Sequence, residues 1–280
     1  MDPLKTLCIQ RWNFPTIDIE EGVVRLCCRV PRTETTSEDL KNFGTDAILN
    51  TPYLRERRAE MFAGKQHSDC HVCWAAENRG APSPRTGAYQ LKQYYEFNRD
   101  ETLPATGAQL PITDPILRAD HPAFVELQLG IICDLKCIYC WRGNSSSWLT
   151  EDYRFGDLSK EEYERLRERV RPDFAPVFWE WFEKIAETVQ MVSFVGGEPT
   201  LSPKFIPSMV RVLQILKEKN SRSAVRIVTN LNCTEVRMTE FLKSLDSDGG
   251  NRIYVDVSME SFGAKAEFIR SGLRLSLIHI

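Results

Sequence analysis

No apolar run in this 280-residue chain approaches the roughly 20 residues that a membrane-spanning helix needs. The N-terminus, MDPLKTLCIQRW, lacks a charged segment followed by an apolar one, so no secretory signal is read there. Low-complexity tracts are missing as well, and the mixed charge is that of a globular protein. A net charge of only −3 gives no general attraction to nucleic acid or to an acidic membrane. The short basic stretch LRERR (Leu54 to Arg58) is read as a solvated helix face. A cytoplasmic protein is the expectation, long enough for one large domain or two ordinary ones.

Cysteine, by contrast, is plentiful: the chain has nine. In a reducing compartment clustered cysteines more often bind metal or do chemistry than pair as disulfides. Cys8, Cys27, Cys28, Cys70 and Cys73 lie early, Cys133, Cys137 and Cys140 stand together, and Cys233 is alone. Two separate sites are expected, with Cys233 a small packing residue.

The organisation of the chain agrees with two parts. The first hundred residues read as short strands and helices: VVRLCCRV (23–30) is β-prone, Ser37 is a candidate helix cap, and Leu54, Arg58, Met61 and Phe62 recur at helical spacing before Gly64. YQLKQYYEFNRD (89–100) reads as a further helix, and the proline-containing stretch 101–115 as a linker. The predicted domains are therefore 1–115 and 116–280. In the second, strands at 123–130, 190–195, 224–229 and 252–258 alternate with helical segments, the pattern of parallel β/α units. Each strand ends in a candidate motif: CDLKCIYC after the first, GGEP after the second, TNLN after the third and SME at the fourth. Catalytic groups of parallel β/α folds gather at that end.

A disulfide within CDLKCIYC would leave one cysteine unused, and a redox pair would need only Cys137 and Cys140. A structural zinc site needs four ligands, and no fourth cysteine or histidine lies nearby in sequence. An iron–sulfur cluster fits best, because closely spaced thiolates on one loop can reach several irons. Three local thiolates would leave one iron open to a small molecule.

The C-x3-C-x2-C spacing of Cys133, Cys137 and Cys140 after a first β/α strand resembles the signature of radical SAM enzymes. Tyr139 holds the aromatic position before the last cysteine, and Gly196, Gly197, Glu198 and Pro199 match the family's Gly-Gly-Glu motif. The resemblance implies a (β/α)6 barrel, of which four units are visible here, in an overall α/β fold. It implies that the three cysteines bind a 4Fe–4S cluster, and that S-adenosylmethionine takes the fourth iron through its amino and carboxylate groups. Electron transfer would then release a 5′-deoxyadenosyl radical that abstracts hydrogen from a substrate, with a reductant such as flavodoxin or ferredoxin as partner. Paired glycines would let backbone approach the methionyl group, and Glu198 or nearby carbonyls would accept from its ammonium. Asn230 stands where the family often has Thr-Asn-Gly, with Leu231 in place of the glycine. Ser258 and Glu260, on one side by strand alternation, suit ribose hydroxyls.

The early cysteines, with CHVCW (Cys70 to Trp74), Gly22 five residues before Cys27, and Cys8 four before Trp12, resemble the cluster-binding twitch domain related to the larger SPASM domain. On that likeness a small α+β domain precedes the barrel, and Cys8, Cys27, Cys70 and Cys73 hold an auxiliary 4Fe–4S cluster, with Cys28 an alternative to Cys27. Arg11 departs from the proline that would commonly precede the tryptophan. His71 is read as an exposed neighbour. Zinc is the rival ligand for four such cysteines.

Four strands fall short of six, and the final LSLIHI resembles translated adaptor sequence, so a fragment is expected. The functional expectation is a radical enzyme acting on a peptide, protein or carbohydrate-like small molecule. The alternatives are a non-enzymatic zinc-binding adaptor and an inactive fragment of such an enzyme.

Overall fold

The computed structural model describes residues 6–86, 111–245 and 250–273. The expected helix at 89–100, most of the expected linker and the final LSLIHI lie outside the described residues. Two compact units divide the chain, Met1–Thr16 with Val23–Val125, and Ile17–Gly22 with Glu126–Ile280. No helix among the described residues is long and apolar enough to cross a membrane.

In the first unit, α1 (Gln10–Asn13) is a single turn. After β1 (Thr16–Asp18) comes an antiparallel pair, β2 (Val23–Arg25) and β3 (Thr33–Glu34), with Val23 opposite Glu34. The strand expected over 23–30 stops at Arg25, and Cys27 instead opens a turn closed by Val30 N–H onto its carbonyl at 3.1 Å. Helix α2 (Ser37–Phe43) is capped one residue earlier than expected, by Thr36 in a capping box with Asp39. Helix α3 (Pro52–Phe62) ends as Gly64 suggests. Lys65 N–H reaches Glu60 O at 3.0 Å and Gly64, at φ 77°, reaches Met61 O at 3.1 Å.

Within α3 the reading of LRERR as a solvated face is corrected. Arg58 is fully buried, donating to Arg11 O (3.0 Å), Leu49 O (2.9 Å) and Leu117 O (3.0 Å). Three carbonyls on Nε and Nη1 replace part of the water its guanidinium gives up, and Nη2 is left without a partner. The same contacts fix the end of α1. Helix α4 (His71–Glu77) then carries Cys73 and Trp74 into the interior.

The second unit is a sheet with β4 (Phe124–Gln128), β6 (Met191–Val195), β7 (Ala224–Thr229) and β8 (Arg252–Val257) in that order. The strands β6, β7 and β8 are parallel, with Phe194 opposite Ile227 and Thr229 opposite Val257. Val192, Phe194, Val225 and Ile227 are fully buried, as are Phe205, Met209, Val212, Leu213 and Leu216 on one face of the Phe205–Lys219 helix. Burying a large aliphatic or aromatic side chain is worth about 1.5–3 kcal/mol, so this face anchors the helix. Phe205 meets Phe194 edge-on at 5.4 Å. The fold is α/β, and the shared register brings the loops after β6, β7 and β8 to one edge of the sheet.

Candidate active site

The cysteine loop follows β4 and is held from three directions. The first is the segment directly after it, where Ser145, Ser146 and Ser147 open the Ser146–Arg154 helix. Ser145 donates to Leu135 O (2.7 Å), Ser147 to Cys133 O (2.9 Å), and the Trp148 indole to Cys137 O (2.9 Å). Loop carbonyls that water would otherwise have to satisfy are thus taken by four consecutive side chains, counting the Ser146 bond to Cys133 O at 3.1 Å.

The second support is GGEP. Gly196 and Gly197 follow β6 at φ 80° and 53°. A Cβ on Gly197 would lie 2.5 Å from Ile132 O, and one on Gly196 would lie 2.8 Å from the Gln128 side chain. The close approach these glycines permit is to the chain preceding Cys133. Glu198 N–H completes it, donating to Ile132 O at 2.7 Å.

Third, a two-residue strand β5 (Lys136–Cys137) pairs antiparallel with β9 (Arg270–Ser271), placing Cys137 opposite Arg270. Arg270 sits with its guanidinium 3.7 Å from Cys137 Sγ and donates to Glu260 Oε2 at 2.6 Å. Tyr139 donates to Glu260 Oε1 at 2.6 Å. Burial first, then the Glu260 carboxylate, holds the Tyr139 phenol above its ordinary pKa, while the Arg270 hydrogen bond holds the Glu260 carboxyl below its own.

Cys133, Cys137 and Cys140 pack in one apolar cluster with Leu135, Ala266 and Leu273. Burial raises the pKa of all three thiols, that of Cys133 to about 12. A buried thiol stays neutral unless a metal or a cation compensates its thiolate. Among the described residues no three Cys, His, Asp or Glu side chains converge as a metal site. Thiolates are the usual ligands of iron–sulfur clusters, and the three thiols here lie in or against one apolar cluster with none in a disulfide.

Glu198 is 2% exposed, and both its oxygens are engaged. Oε1 accepts the Thr200 amide (3.1 Å) and the hydroxyls of Thr200 (2.7 Å) and Thr229 (2.5 Å), and Oε2 accepts the Asn230 amide (2.6 Å). Its carboxylate therefore ties the loop after β6 to the loop after β7. Pro199 opens a short 3-10 turn, Pro199–Leu201, beneath it. Asn230 is buried, its side chain accepting Asn232 N–H at 2.7 Å, and Asn232 in turn donates to Asp134 beside Cys133. Leu231, between them, is at φ 55°. Ser258 is anchored through its amide to Thr229 O at 2.8 Å. The strand ends at Val257, so the alternation expected to align Ser258 with Glu260 does not extend that far.

The early cysteines form a second constellation. Cys8, Cys27, Cys70 and Cys73 are buried, whereas Cys28 is exposed. Ionised Cys70 would raise Cys8 and Cys73 further, and ionised Cys8 would raise Cys27. Helix α1 bridges two of them: the Cys27 thiol donates to Gln10 Oε1 and Arg11 Nη2 donates to Cys70 Sγ, both at 3.1 Å. Burial pushes the Cys8 thiol up to about 12, opposed by the Gln10 amide and by Arg11 and Arg85. Burial likewise raises Cys73, and Cys28 together with burial raises Cys27. None of the four is disulfide-bonded, and among the described residues they do not converge as a metal site. His71 is exposed and Cys233 buried, as expected.

Sequence reasoning missed Arg270, the serine run and Asp134. Of these only the serines carried a local signal, hydroxyl residues just before an amphipathic segment.

The sheet thus carries a cysteine loop at one strand end with a Gly-Gly-Glu turn braced against it. Residues 127–265 match the Radical SAM superfamily. No curated protein and no solved structure matches the chain.

Proposed function

We propose that the chain is a radical S-adenosylmethionine enzyme whose Cys133, Cys137 and Cys140 hold three irons of a 4Fe–4S cluster. The observation that carries this reading is the bracing of the cysteine loop by GGEP, through Glu198 N–H to Ile132 O at 2.7 Å. When bound, the cluster and S-adenosylmethionine supply a 5′-deoxyadenosyl radical that takes hydrogen from a substrate. The chain's own part is to position and to shield. Ser145 to Trp148 fix the loop carbonyls, and the saturated Glu198 carboxylate sets the loop after β7 rather than binding ligand. On this reading Tyr139, Asn230, Ser258 and Glu260, with backbone at Gly196, Gly197 and Pro199, would meet the cofactor's polar groups.

In this reading the second unit is four β/α units of a partial barrel. The first is a twitch-like domain whose Cys8, Cys27, Cys70 and Cys73 hold an auxiliary 4Fe–4S cluster. Its buried cysteine set supports that assignment equally for zinc, which is the second reading for this unit alone. The substrate is a peptide, a protein or a carbohydrate-like molecule, the electron comes from a flavodoxin- or ferredoxin-type donor, and the setting is the reducing cytoplasm.

Anaerobic reconstitution followed by iron, sulfide and zinc analysis tests the proposal. About eight irons per chain are expected for two 4Fe–4S clusters. Reduction with dithionite should yield 5′-deoxyadenosine from S-adenosylmethionine, and Cys137→Ala should abolish it. Stoichiometric zinc without a brown chromophore would instead make the chain a zinc-binding adaptor.

A further inference from the structure

An open cleft of about 500 Å³ adjoins the cysteine loop, and its wall includes Lys136, Thr150, Glu151, Arg154, Tyr163 and Arg167. Lys136 and Cys137 are neighbours on β5, so their side chains leave it on opposite faces, and the cleft takes the lysine rather than the thiol. Helix geometry builds the rest. Ser147, Thr150, Glu151 and Arg154 stand at i, i+3, i+4 and i+7, on one face of the Ser146–Arg154 helix. Tyr163 and Arg167 are likewise one turn apart on the Lys160–Arg167 helix. The two helices are joined by the Tyr153 and Tyr163 rings, stacked at 4.5 Å.

Most polar groups of this wall are already matched. Ser146 and Ser147 donate to Cys133 O at 3.1 and 2.9 Å, Thr150 donates to Ser146 O at 2.9 Å, and Lys136 Nζ meets Glu151 Oε2 at 2.8 Å. Arg154 and Arg167 differ: among the described residues neither guanidinium has a hydrogen-bond or ion-pair partner. Two like charges on one wall repel each other, and an anion between them relieves that repulsion. Guanidinium forks match phosphate oxygens two at a time. A phosphate group carries nearly two charges and three acceptor oxygens, enough for both forks and the Tyr163 hydroxyl. A carboxylate, with one charge, would leave one guanidinium uncompensated. The volume falls within the range of small-molecule sites, and Leu149 with the Tyr163 ring offers apolar contact to an organic group on the phosphate.

We propose that this cleft binds a phosphate dianion, free or as the monoester of a small molecule, through Arg154 and Arg167. The site needs no metal and stands whether or not the cysteines hold a cluster. Once occupied, it clamps the Lys160–Arg167 helix to the Ser146–Arg154 helix, whose first turn holds the Cys133 carbonyl.

Equilibrium dialysis of the full chain against inorganic phosphate or glycerol 2-phosphate, at fixed ionic strength, tests this by the phosphorus measured on each side. Saturable binding is expected, weakened about tenfold or more in Arg154→Gln and in Arg167→Gln. Arg165→Gln makes the same charge change on the Lys160–Arg167 helix, but Arg165 is not part of the cleft wall, and binding should stay unchanged. Glu151→Gln removes the wall's carboxylate and frees Lys136, so binding should tighten about threefold. Lost structure cannot produce such a gain. A monoester held more tightly than phosphate assigns the ester as ligand, and equal affinities assign the free ion. No saturable binding of either at millimolar concentration, an equal loss in Arg165→Gln, or weaker binding in Glu151→Gln overturns the inference.

Discussion

The Asn230 amide donates to Glu198 Oε2 at 2.6 Å, joining the loop after β7 to the loop after β6 at one edge of the sheet. With Thr200 and Thr229 on the other oxygen, the carboxylate accepts from every donor placed around it. Glu198→Gln keeps the shape but turns one acceptor into a donor facing donors. Leaving a buried polar group unsatisfied costs about 1–3 kcal/mol, and we expect a loss of that size in anaerobic urea unfolding. Unchanged stability would mean that the carboxylate does not hold these two loops together.

Gly197 and Gly156 separate backbone strain from close packing. Both have positive φ, 53° and 84°, but nothing lies within 4 Å of a Cβ on Gly156, whereas on Gly197 it meets Ile132 O at 2.5 Å. Gly156→Ala should cost the left-handed penalty alone, about 1–2 kcal/mol. Gly197→Ala should cost about 1–3 kcal/mol more, the usual range for overpacking, and should lower iron retention at Cys133. Equal losses in the two variants would refute the bracing of the cysteine loop by GGEP.

The parallel strands were legible because short apolar runs between helical segments survive in one dimension: Val192 and Phe194, like Val225 and Ile227, lie in such runs and are buried. The motifs at strand ends were legible for the same reason. Helix caps were legible to within a residue, since Thr36 and Ser37 are both good caps and only geometry selects Thr36. Arg58 was misread because a sequence records its charge but not the three carbonyls that surround it. Arg270 was invisible because it meets Cys137 across 133 positions of sequence, through a strand only two residues long.

Cys27 and Cys28 are adjacent, yet only Cys27 is buried beside Gln10 and α1. Their difference comes from the turn after β2 rather than from alternation along a strand. In the chain lacking Cys133, Cys137 and Cys140, Cys27→Ser should reduce bound metal per chain sharply, and Cys28→Ser should leave it unchanged. Elemental analysis after gel filtration reads both, and the reverse pattern would make Cys28 the ligand.

Leu231 holds a position that the related Thr-Asn-Gly motif gives to glycine, and it does so at φ 55°. Its amide donates to the Thr229 hydroxyl at 3.0 Å, so the left-handed turn is fixed by the same threonine that bonds Glu198. An L-residue in this region costs about 1–2 kcal/mol, while glycine costs about 0.5–1 kcal/mol through the entropy of the unfolded chain. The two nearly cancel once the partly buried leucine side chain is lost. Leu231→Gly should therefore unfold within about 1 kcal/mol of the parent. Leu231→Ile keeps the volume but adds β-branching to the strained turn, and should be the less stable of the two variants. Should Leu231→Ile prove as stable as Leu231→Gly, the left-handed turn after Asn230 does not exist in solution.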